Sequence, residues 1–142
     1  MNESERREIN EAISAADNAL KHLYAADRRL KSARNWGLVD IFGGGGGLIS
    51  GLAKHSKMSS AEREIDEARF ALQKFSKELR DVSGYSSIHI NEFLTFADFF
   101  FDGFIADVLV QSKIGNARKQ CEQAIRHVTG IRKELVQRLD QY

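Results

Sequence analysis

The sequence predicts an all-α fold: an antiparallel bundle of long amphipathic helices with a glycine-rich interruption and a 56-residue internal repeat. Three observations lead there. Apolar residues recur at alternating spacings of three and four along three separate stretches, the signature of one helix face turned to a core. No proline occurs in 142 residues, so no position is barred from a helix interior by a missing N–H or a ring clash. No stretch alternates apolar and polar residues with the period of two that a half-buried strand needs.

The first stretch runs Ile9, Ala12, Ala16, Ala19, Leu23, Ala26, Leu30, Ala33. Ile13 and Leu20 widen this stripe, so the helix should face a core and not a single partner. Ala12, Ala19, Ala26 and Ala33 lie one heptad apart and let a neighbouring helix approach closely. Asn2 and Ser4 are the available N-caps. The same stripe recurs at Ile65, Ala68, Leu72, Phe75, Leu79, Val82, and again at Cys121, Ala124, Val128, Ile131, Leu135. The segments starting at Ser4, Ser60 and Asn116 align without a gap at an offset of 56. The stretches between them align too, with Gly47–Ile49 level with Gly103–Ile105. This gives an A–B–A′–B′–A″ order. Shared heptad spacing alone also makes amphipathic helices resemble one another. The first two A helices are expected to end at Asn35–Gly37 and Ser83–Gly84, where glycine supplies a left-handed C-cap. Ser59 with Glu62 offers a capping box for the second, and residues 82–88 read as a turn. The chain is expected to be one domain, residues 1–142.

Between the first two A segments, Trp36 to Met58 holds five consecutive glycines, Gly43 to Gly47. In the matching place of the second repeat, Ile88 to Val110 holds six of the nine phenylalanines. Gly43, Gly47 and Gly51 fall every fourth residue and would leave a groove without side chains along one helix seam. The rings of Phe99 to Phe104 are expected to fill it. A phosphate cradle is a weaker reading: Lys54, His55 and Lys57 lie downstream, but neither the P-loop spacing nor a preceding strand is present. Membrane insertion is a third. Leu38–Ala53 and Phe93–Val110 span 16 and 18 residues, close to a crossing length, yet contain Asp40 and Asp98, Asp102 and Asp107.

Charge is nearly balanced, 21 Lys+Arg against 20 Asp+Glu, and no basic block marks a nucleic-acid surface. The lone Cys121 cannot close an internal disulfide, and the charged N-terminus shows no secretory h-region, so a cytoplasmic protein is expected. Cys121 falls on the core stripe and reads as a small hydrophobe. Asp98 and Asp102, four residues apart, could present two carboxylates to one point, as an acid–base pair or half a metal site. A carboxylate-bridged metal centre in a bundle uses Glu-x-x-His, which is absent, and no two histidines stand at helical metal spacing.

No catalytic constellation emerges, so the expected function is a non-catalytic scaffold or adaptor acting by protein–protein or self-association, with no cofactor and no metal. The alternative is a small-molecule or metal site where the glycine run meets Asp98 and Asp102, involving Asp40, Lys54, His55, Gly43 and Gly47. A peripheral membrane role comes third.

Overall fold

Asn2 opens the first helix through a reciprocal cap. Its side-chain oxygen accepts from the Glu5 backbone N–H at 2.8 Å, and the Glu5 carboxylate accepts from the Asn2 N–H at 3.3 Å. Two N–H groups that a helix start leaves without partners are thereby satisfied. The acidic Glu3 and Glu5 of the first turn also suit the positive end of the helix dipole.

The computed structural model describes residues 2–43, 47–82, 88–103 and 114–140, with side chains for 2–32, 63–82, 89–98 and 117–140. The described residues form four helices and no strand: α1 Glu3–Gly43, α2 Gly47–Asp81, α3 Ile88–Gly103 and α4 Ile114–Asp140. Two expected boundaries move. α1 continues through Trp36 and Gly37 to Gly43, and α2 is already helical at Gly47, so Ser59 and Glu62 lie inside it and not at its start. Without proline, one glycine at residue 37 costs only about 1 kcal/mol against alanine, too little to end a helix that its neighbours extend. The helices reach the glycine run from both sides; residues 44–46 lie outside the described part, as do the side chains of Phe99 to Phe104. The turn expected at 82–88 falls between Asp81 and Ile88, and its residues 83–87 are likewise outside.

One cluster of buried apolar side chains draws on all four helices. Every stripe residue with a described side chain is in it. Ile9, Ile65 and Cys121 are fully buried, as are Ala12, Ala68 and Ala124, and Ala16, Leu72 and Val128. The three segments thus turn the same heptad phase inward. Ala15, Ala71 and Ala117 broaden the buried band, and Ile90, Phe93 and Ala97 supply the contribution of α3. The Phe75 and Phe93 rings meet at 5.3 Å between centroids, tilted by 54°, joining α2 to α3. Ser76 is the one buried polar side chain among the described residues, and its hydroxyl donates to the Leu72 carbonyl at 2.9 Å. That bond satisfies it within its own helix.

α1 packs against both α2 and α4, while α3 packs against α2 and α4. The flanks of the α1 stripe decide which neighbour lies on which side. Asp27 directly follows the buried Ala26 and pairs with Arg118, which directly follows the buried Ala117. Further along, Asp17 pairs with Arg132. These contacts ascend α1 as they descend α4, so the two helices run in opposite directions. On the other flank His22, directly before buried Leu23, meets Glu64, directly before buried Ile65.

Leu72→Ala or Ile131→Ala should cost about 2–5 kcal/mol in chemical denaturation, because each opens a cavity in a packed core. Gly130→Ala should act in the opposite sense. A Cβ there would meet nothing within 4 Å, and relief of glycine's helix penalty should raise stability by about 1 kcal/mol.

Candidate functional site

Of the ligand-binding candidates singled out by sequence, one has a described side chain. It is Asp98, which is exposed on α3. Asp102 lies on the last turn of α3, Asp40 and Gly43 on the last turn of α1, Gly47 at the first position of α2, and Lys54 and His55 within α2. The side chains of these others lie outside the described residues, and so does any meeting of the glycine run with the phenylalanine cluster.

A different group of side chains converges instead. His22 of α1 stands 3.2 Å from Glu67 and 3.8 Å from Glu64, both of α2, through its Nδ1. The local cause is simple. Glu64 and Glu67 are three residues apart and share a helix face. They flank the buried Ile65 and Ala68, so they stand at the rim of the α1–α2 seam. His22 occupies the facing rim beside Leu23. The His22 and Glu64 side chains are only 21% and 19% exposed, and Glu67 is 49% exposed. Among the described residues this is the one place where three side chains able to ligate a metal lie together, with donor atoms all within 4.8 Å of one another.

Histidine spacing within one helix does not reveal this group. Its members are split between two helices, and their meeting depends on how α1 and α2 register. The signal available was positional: His22 and Glu64 each directly precede a residue of a core stripe.

A second polar cluster lies over α3 and α4. His127 of α4 packs against Phe96 at 5.0 Å and Phe93 at 6.3 Å between ring centroids. Burial lowers its pKa below the ordinary 6.5, with the Glu92 carboxylate opposing that shift. Beside it is a cavity of about 200 Å³ lined by His89, Arg126, Gly130 and Glu134 among others, where His89 Nε2 is 3.6 Å from Glu134. A larger groove of about 790 Å³ runs between the N-terminal half of α1 and the C-terminal half of α2. Its walls carry Arg6, Asn10 and Ser14 on one side and Lys74 and Glu78 on the other. This mixture of signs selects no single ligand charge.

Cys121 is fully buried, and its thiol pKa is pushed up to about 12, first by that burial and then by Asp27 and Glu122. Burial in apolar surroundings thus favours the protonated thiol, the less reactive form. It fills core space, as its place on the stripe implied. No described helix is long and apolar enough to cross a membrane. Family models, curated proteins and solved structures all yield no match to this chain.

His127 should titrate, by NMR of its ring protons, with a midpoint below 6.5. The sign follows from linkage: the unfolded chain binds this proton more readily than the folded one. Stability should therefore be unaffected above pH 6.5 and fall as pH drops from there through the folded pKa. His127→Gln should remove that part of the acid-side loss.

Proposed function

We propose that this protein is a non-catalytic helical scaffold that acts by binding a protein partner or a second copy of itself. In this reading the four helices form one antiparallel bundle, descended from a duplicated 56-residue unit and interrupted at the glycine run, in a soluble cytoplasmic protein. The agreement of buried positions at that offset supports the duplication, although 56 is eight heptads and equal phase alone would also produce it.

The observation that carries the association is Phe70. Its side chain is 72% exposed in the middle of α2, while the neighbouring stripe residues Ala68 and Leu72 are fully buried. Asp66, Arg69 and Gln73 surround it along a groove of about 230 Å³. An aromatic anchor inside a polar rim is the usual anatomy of a protein-binding hot spot. Tyr24, 51% exposed on α1, is the other large outward-facing ring among the described residues.

Light scattering after size exclusion should give a mass of at least two chains at micromolar concentration, and Phe70→Ser should weaken the association about tenfold or more. The variant should melt close to the parent, since an exposed ring contributes little to the core. A parent monomeric at every concentration would remove self-association. An equal dimerisation constant for the Phe70→Ser variant would remove Phe70 as the anchor.

A further inference from the structure

We propose that His22, Glu64 and Glu67 form a binding site for one divalent first-row transition ion, of which zinc is the type, clamping α1 to α2. The donor set itself argues for this ion class. One imidazole nitrogen with two carboxylate oxygens suits zinc and its neighbours, whereas magnesium and calcium prefer oxygen alone. Spacing agrees. A tetrahedral ion with bonds of about 2.0–2.1 Å sets its donor atoms about 3.4 Å apart. The distances from His22 Nδ1 to Glu67 and Glu64, 3.2 and 3.8 Å, lie on either side of that value. Two of the three donor separations therefore suit a tetrahedral ion, and all three donors lie within 4.8 Å of one another.

Charge balance points the same way. Two carboxylates share one helix face, and among the described residues the only basic group within 4.0 Å of either is the His22 imidazole. A protonated imidazole leaves one negative charge over. A divalent ion on a neutral imidazole leaves none. Rigidity is supplied from beneath, because Leu23, Ile65 and Ala68 are fully buried and hold the backbone under each ligand. Three protein ligands leave a position for water, and Glu67 is half exposed.

The test uses the full chain, free of any histidine tag, titrated calorimetrically with zinc and spectroscopically with cobalt. One ion per chain is expected, with visible cobalt absorption and a higher melting temperature in zinc. His22→Gln, Glu64→Gln and Glu67→Gln should each weaken zinc binding by about tenfold or more, while His89→Gln leaves it unchanged. Circular dichroism checks that each variant stays folded, and Glu67→Gln, at the most exposed of the three positions, decides the matter if another variant does not. Absence of saturable binding at millimolar zinc would reduce the cluster to an ion pair and overturn the proposal. So would one-to-one binding of unchanged affinity in Glu67→Gln, which would place the ion elsewhere.

Discussion

The stripe of α1 is the surface on which α2 and α4 both pack. It is built largely of alanine: Ala12, Ala16, Ala19 and Ala26 are fully buried, with Ile9, Leu23 and Leu30 between them. Small residues allow two neighbours to approach one helix, and α1 does contact both α2 and α4. The larger side chains come from the other partners. Phe75 and Leu79 on α2, Ile131 and Leu135 on α4 and Phe93 on α3 are the bulky members of the same buried cluster. Large-against-small packing of this kind reaches interior density without strained rotamers.

Around that seam the polar residues set direction more than stability. Exposed or half-exposed ion pairs contribute little free energy, typically about 0–1 kcal/mol. Asp27 with Arg118 and Asp17 with Arg132 nonetheless penalise any slip of α4 along α1, since a shift by one turn would break both. The opposite flank carries His22 against Glu64 and Glu67. One helix thus has an acidic edge toward α4 and an imidazole toward α2, so the two neighbours are not interchangeable.

The same division separates structure from function. Two titratable groups are muted by burial: Cys121, within the core, is held as a thiol, and the partly buried His127, against Phe93 and Phe96, is biased to its neutral form. The side chains proposed for ion binding and for association, the His22 cluster and Phe70, lie instead at the rim and on the outer face.

Helix class and core were legible in the sequence because both follow from local spacing. A side chain every three or four residues lies on one helix face whatever the neighbours are, so Leu72, Val128 and Leu135 could be placed in the core from their positions alone. Helix ends were less legible. Gly37 and Ser59 carry strong local stop and start preferences, yet α1 and α2 run through them, because preferences of about 1 kcal/mol yield to a continuing helix. The cap at Asn2 was visible because it needs only residues three apart. What only the tertiary structure decided is which rim residues meet. His22 and Glu64 are 42 positions apart, and nothing in either helix by itself brings them together. Their meeting is fixed by the register of α1 on α2, a property of how two packed surfaces interlock and not of either sequence pattern alone.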